Sequence, residues 1–245
     1  MKKDFKTQDK YTEIEDWELH WSNFKPNKIG NPNFEDLIID FPKSADFIEI
    51  GGFPGFYSIY FKKRFNYNVH LLDYFIIPEI IKKMELINEI PVGSINIIND
   101  DFFSFQSEKQ FDIVFSYGFI EHFEDTKEVI KRHVSILSGG GKLLIVLPNL
   151  KGMSGWFLKL TDKELFDKHN LTSMDLSLLF QICKEVELKN IEVMYYGKPH
   201  IWINASSPID SKATRFFVKY FNGISQRIPV KNRWLSPLIV IKATK

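Results

Sequence analysis

The chain is short of cysteine, of net charge and of any long apolar run. Its single cysteine, Cys183, excludes an intramolecular disulfide, and without a cysteine cluster there is no thiolate site for zinc. Lys and Arg total 32 against 31 Asp and Glu, a formal charge of +1, so no overall field favours a nucleic-acid partner. No stretch approaches the roughly 20 apolar residues of a membrane-spanning helix, and the charged start from Met1 to Lys10 has no apolar core of a secretion signal. Internal repeats and low-complexity tracts are missing too. Together these absences point to a soluble, cytoplasmic protein. At 245 residues and 44% hydrophobic content it has the material for one sizeable α/β core.

What is present is order. From Ala45 onward short apolar runs alternate with helical periods: strands are expected over 47–50, 68–72, 94–98, 111–116 and 142–147, then 187–196 and 234–243, and helices over 54–65, 78–89, 125–137 and 173–186. Such alternation gives right-handed crossovers and a parallel sheet, so the expected fold is α/β, a doubly wound Rossmann-like sheet of seven mostly parallel strands. Ahead of it, Tyr11, Trp17, His20, Trp21 and Phe24 recur near helical spacing, and residues 1–45 are expected to form a helical lid on a domain of residues 46–245. A further short helix is expected over 34–41. Gly139-Gly140-Gly141 is expected to stop the helix before the fifth strand, residues 148–172 to form an irregular substrate-side loop, and 197–233 an insertion with a helical centre.

The run Phe47-Ile48-Glu49-Ile50-Gly51-Gly52-Phe53-Pro54-Gly55 reads as strand, tight turn and helix start. Glycine allows positive φ and close approach of a ligand to the backbone, and a helix N-terminus adds unpaired N–H groups. Glu49, Asp73 and Asp101 each close a strand, at the edge where open parallel sheets bind ligands. Carboxylates there suit a ribose diol and an exocyclic amine, so the expected ligand is a nucleoside.

Residues 45–147 resemble the core of the class I S-adenosylmethionine-dependent methyltransferases, in the broad small-molecule group. Glu49 to Gly55 resembles that family's acidic-x-Gly-x-Gly-x-Gly turn, and Asp100-Asp101-Phe102 its Gly-Asp-apolar motif. The fourth strand with Phe119-Ile120-Glu121-His122-Phe123 is similar to its Leu-Glu-His-Leu segment, and Gly139-Gly140-Gly141-Lys142-Leu143 to its turn into strand five. The resemblance implies S-adenosylmethionine as cofactor and S-adenosylhomocysteine as product. It implies Glu49, Gly51, Gly52, Gly55, Asp73, Tyr74, Asp101, Phe102 and Tyr117 around them, with Asp73 on the ribose hydroxyls and Asp101 at the adenine. Phe53 stands where the family has its middle glycine, a side chain expected to narrow the methionine part of the site. That departure motivates a reading from another class, a catalytically silent binding or scaffold protein of the same fold. A dinucleotide fits worse, because the spacing is not Gly-x-Gly-x-x-Gly and Glu49 would repel a pyrophosphate.

Methyl transfer from a sulfonium asks a protein mainly to position a nucleophile and to take its proton. His122, just beyond strand four, is the expected base, with Glu121, Asn149, His169, His200, Tyr11 and Trp21 as expected acceptor contacts; His20, His70 and His133 read as structural or surface. Ser116-Tyr117-Gly118-Phe119 stands where nucleic-acid amine methyltransferases resemble one another in an Asp/Asn-Pro-Pro-aromatic motif, and no carboxylate cluster suggests a metal. The expected acceptor is therefore a small metabolite or sugar-type precursor, methylated on oxygen or nitrogen. Residues 200–245 carry eight Lys or Arg against Asp210 alone. Within 212–224, Lys212, Arg215 and Lys219 share a helical face, with Phe216, Phe217, Tyr220 and Phe221 on others, a helix suited to covering the core, to a homodimer contact or to an anionic membrane surface.

Overall fold

The computed structural model describes residues 17, 18, 21, 24–32, 34–203, 207, 209, 211–225, 227 and 231–245. Seven strands form among them: β1 Asp46–Ile50, β2 Asn68–Asp73, β3 Ile95–Asn99, β4 Phe111–Tyr117, β5 Leu137–Pro148, β6 Lys189–Tyr196 and β7 Leu238–Thr244. They make one sheet in the order β3-β2-β1-β4-β5-β7-β6. Only β7 runs antiparallel to its neighbours, β5 and β6. The helices are α1 Phe56–Phe65, α2 Pro78–Ile87, α3 Thr126–Ser135, α4 Met153–Thr161, α5 Lys163–Asp167, α6 Leu176–Glu185 and α7 Lys212–Ser225. This is the doubly wound, mostly parallel sheet that the alternation of runs predicts.

The central strands read as nearly unbroken apolar runs because both of their faces are covered. Successive side chains alternate between those faces. Phe47, Phe115 and Leu144 meet Ile59, Phe61 and Ile81 of α1 and α2 on one side. Ile48, Val114 and Leu143 meet Val129, Ile130, Leu179 and Ile182 of α3 and α6 on the other. His133, fully buried on α3, bonds the Val129 carbonyl at 2.8 Å and Ser116 Oγ of β4 at 3.1 Å; burial lowers its pKa to about 4. His70 is half-buried on β2, and His20 lies outside the described residues. The winding reverses where β1 meets β4, which opens a crevice at the carboxyl ends of these strands.

Several expected boundaries move, each for a local reason. The helix before β5 ends at Ser135, and Gly139-Gly140-Gly141 falls inside the strand, where the β4–β5 register shifts and Gly140 takes φ +80°. The triplet is a bulge rather than a helix stop. Residues 148–172 are largely helical, as α4 and α5, with a further 3-10 turn at Leu171–Met174. Gly152 and Gly155 serve close approach there: a Cβ would lie 2.6 Å from the Arg233 carbonyl and 1.9 Å from that of Leu150. The expected helix 173–186 is split by Asp175, whose carboxylate caps α6 by accepting from the Ser177 and Leu178 amides. The last strand starts only at Leu238, because Asn232 Oδ1 accepts from the amides of Trp234 and Leu235 and folds that stretch into a turn. Residues 34–41 contain only a 3-10 turn, Glu35–Ile38.

One buried carboxyl ties the first strand to the first helix. Glu49 Oε2 accepts from the Ser58 amide at 2.7 Å and its hydroxyl at 2.5 Å, within the first turn of α1. Burial pushes its pKa up to about 8. The folded state therefore binds a proton at neutrality that the unfolded chain does not. The resulting stability is complete below about pH 4.5 and is lost as pH rises through about 8. Glu49→Gln keeps an acceptor for Ser58 and removes the titration. Its melting temperature is expected to fall less than the parent's between acid and alkaline buffer, a gain on the order of 1–3 kcal/mol at the alkaline end. Parallel declines in scanning calorimetry would contradict this assignment.

Candidate functional site

The crevice at the sheet edge contains a cavity built on the β1–α1 turn. Gly51 takes φ +65°, and a Cβ on it would sit 2.2 Å from the Phe119 ring, so only glycine lets that ring close over the turn. Asp73, at the end of β2, faces the turn from the neighbouring strand. Its Oδ2 accepts from the Phe53 amide and its Oδ1 from the Phe75 amide, each at 3.0 Å. Burial outweighs these bonds and pushes the Asp73 pKa up to about 6, leaving it ionised at neutrality. A carboxylate has about four lone-pair sites, so backbone bonds from Phe53, Phe75 and Tyr74 leave it able to accept from a further donor.

The walls are aromatic. Phe53 is buried, with its ring edge-on to Trp21 at 5.6 Å and to Phe75 at 5.5 Å. Phe102, Phe103, Phe119 and Phe123 form a chain of tilted and edge contacts opposite. Asp101 Oδ1 accepts from the amides of Phe103 and Ser104, a local turn that fixes those rings after β3. Trp17 and Trp21 border the cavity from the N-terminal segment. Phe75 and Phe103 escape sequence reasoning, since 23 phenylalanines give no single one a signal.

His122 borders the same cavity, edge-on to Trp17 at 5.3 Å. It ends a 3-10 turn, Ile120–His122, that follows β4. Glu121 beside it is 1% exposed, and its Oε2 has no hydrogen-bond partner; burial pushes its pKa up to about 8. Its Oε1 lies 4.0 Å from His122 Nε2. The His169 ring is 5.1 Å from that of His122.

Of the residues singled out in the sequence, the cavity brings together Gly51, Asp73, Tyr74, Asp101, Phe102, Trp21 and His122. Glu49, Gly52, Gly55, Tyr117, Glu121, Asn149, His169 and His200 are not on its lining. Glu49 faces Ser58, Gly52 lies over the Glu49 side chain, and Gly55 is the left-handed N-cap of α1 with φ +91°. Tyr117 packs on Tyr57 at 4.9 Å, on the α1 side of the sheet. Asn149 is buried, donating to the carbonyls of Arg233 and Ser236 at 2.7 and 2.8 Å, where it clamps the approach to β7. His200 lies beside α4, where its carbonyl accepts from Ser154. Glu121 and His169 sit behind His122, and Tyr11 lies outside the described residues.

Residues 31–193 match the family model described as a methyltransferase domain. No curated protein matches the chain. Among solved structures, a possible histamine N-methyltransferase from Thermotoga maritima is 13% identical, with 86% of each chain covered and a TM-score of 0.55. Phosphoethanolamine N-methyltransferase 2 of Haemonchus contortus, solved with S-adenosyl-L-methionine, is 19% identical over 95% of this chain and 56% of its own, with a TM-score of 0.59. The plantazolicin methyltransferase BpumL, solved with a triazolic desmethylPZN analog and SAH, is 18% identical over 94% and 81%, with a TM-score of 0.52. With two thirds of its length inside that model and the sheet order described above, the chain belongs to the methyltransferase-domain family, as a class I S-adenosylmethionine-dependent methyltransferase.

Proposed function

We propose that this methyltransferase moves a methyl group to an oxygen or nitrogen of a small metabolite or sugar-type acceptor bound in the cavity at the β1–β4 edge. The observation that carries the reading is the gathering of Gly51, Asp73 and His122 on one cavity. When bound, S-adenosylmethionine supplies a methyl group already activated on a sulfonium. The residues present fit it. Asp73 offers ionised acceptor oxygens to ribose hydroxyls, the Gly51 backbone takes close approach, and Phe102 with the Asp101 turn gives an aromatic bed for adenine. Trp17 and Trp21 support the role of residues 1–45 as a lid that keeps water from the reacting atoms. His122, the imidazole on this wall, is the catalytic residue that meets the acceptor. Amine acceptors suit the reading, since a possible histamine N-methyltransferase and a phosphoethanolamine N-methyltransferase share the fold. A cytoplasmic location goes with it, as does the buried, unbridged Cys183.

Asp73→Ala is expected to weaken S-adenosylhomocysteine binding by about 10–100-fold in calorimetry, the loss of charge-assisted bonds. For the parent, the ionised carboxylate binds and the protonated one does not. Affinity should therefore be flat above about pH 7 and fall about tenfold per unit below about 6. His122→Gln should keep that affinity within a few-fold and lower kcat by about 100-fold or more. Unchanged binding in the Asp73 variant, or unchanged turnover in the His122 variant, would contradict the assignment.

We propose further that α7 docks on an anionic membrane surface, bringing the enzyme to an acceptor there. No helix among the described residues is long and apolar enough to cross a membrane. The support is exposure of large apolar side chains: Phe216, Phe217, Tyr220 and Ile224 of α7 are 49–71% exposed, and Trp156 and Leu160 of α4 and Trp234 are also open to solvent. Lys212, Arg215 and Lys219 flank the aromatic side. Asn222 anchors the helix by exchanging bonds of 3.0 and 2.8 Å with the Ile201 backbone. The protein should sediment with phosphatidylserine vesicles and not with phosphatidylcholine alone, and Lys212→Glu with Arg215→Glu and Lys219→Glu should abolish it. A parent that stays in the supernatant would end the idea.

A further inference from the structure

Three side chains at one end of the cavity form a set that methyl transfer by positioning alone leaves unexplained. A carboxylate oxygen of Glu121 and one ring nitrogen each of His122 and His169 lie within 4.8 Å of one another. Glu121 is 1% exposed and its Oε2 has no hydrogen-bond partner, a costly state for a buried polar atom. His169 Nδ1 stands 2.7 Å from the Leu165 carbonyl. A carbonyl only accepts, so Nδ1 carries the proton and Nε2 is left with its lone pair, the tautomer and orientation found in metal-ligating histidines.

The backbone holds these residues together independently of any charge among them. The Asn170 amide, next to His169, donates to the Glu121 carbonyl at 2.7 Å. Asn170 Nδ2 donates to the carbonyls of Phe123 and Glu124 at 2.8 and 3.0 Å. The segment after α5 is thus clamped on the 3-10 turn that carries Glu121 and His122. Both segments are fixed, while Oε2 of the Glu121 carboxyl has no hydrogen-bond partner.

We infer that Glu121, His122 and His169 bind a divalent transition-metal cation of the zinc type at the wall of the cavity. Two imidazoles and one carboxylate are the donor set of an open catalytic zinc site, and they are too nitrogen-rich for magnesium or calcium. The cation would satisfy the orphaned oxygen of Glu121. Because His122 also borders the cavity, the site abuts the space where the acceptor lies. The inference rests on the methyltransferase reading and refines one part of it: His122 would hold the cation rather than act as a free base, and the cation would lower the pKa of a bound acceptor O–H or N–H so that its proton leaves to solvent before the methyl group is taken up.

The test is calorimetric titration of Zn²⁺ into the full chain after dialysis against EDTA, with Co²⁺ absorption as a second probe of the ligand field. One Zn²⁺ per chain with a micromolar or tighter Kd is expected, and His169→Ala and Glu121→Gln should each weaken it by more than about 100-fold, since even outer-shell partners cost about 10–100-fold. S-adenosylhomocysteine binding reports folding separately. Should Glu121→Gln not fold, His169→Ala, altered at a half-buried position, decides the matter. A parent that binds S-adenosylhomocysteine but no Zn²⁺ below millimolar overturns this inference and leaves the methyltransferase reading standing. Zn²⁺ affinity unchanged in His169→Ala overturns it as well.

Discussion

A single carboxylate holds the cavity together. Asp73 ends β2 and takes one amide from the β1–α1 turn, at Phe53, and one from its own strand's exit, at Phe75. These two bonds fix the turn against the neighbouring strand, and they set the rings of Phe53 and Phe75 edge-on to each other. The aromatic wall and the position of Gly51 under Phe119 follow from that register. The cost is a carboxylate in poor solvent, visible as a pKa raised to about 6. A ligand offering hydroxyl donors would relieve it, which is why a structural clamp also serves as a binding group.

The same economy runs through the rest of the edge. Glu49, one strand over, is turned inward to Ser58 and stiffens the junction of β1 and α1. Asp101 spends one oxygen on its own loop and so aims Phe103. Three acids at three strand ends thus do different work: one joins strand to helix, one joins strand to strand, and one shapes a loop. Of these three, Asp73 and Asp101 border the cavity.

Much of the fold was legible because burial on both faces leaves a simple trace: apolar runs such as Phe47 to Ile50 and Phe111 to Ser116 lie where β1 and β4 form. The acids and glycine at the ends of those runs marked the edge for the same reason. What the sequence hid were contacts made by shape. Gly152 and Gly155 looked like loop punctuation, yet they let α4 approach neighbouring carbonyls. Phe53 looked like a defect in a glycine turn, and in the fold it is a wall residue between Trp21 and Phe75. His169 sits far from Glu121 in the chain, and the Asn170 bonds to the Glu121, Phe123 and Glu124 carbonyls bring it alongside. No periodicity signals such a pairing.

The central claim is that the cavity framed by Gly51, Asp73 and His122 is where the nucleoside cofactor and the acceptor meet. A crystal structure of the full chain with S-adenosylhomocysteine tests it most directly. The account predicts ribose hydroxyls on the Asp73 carboxylate, adenine against Phe102, and the thioether sulfur toward the His122 wall. A ligand bound elsewhere on the chain, or one whose ribose avoids Asp73, would contradict it.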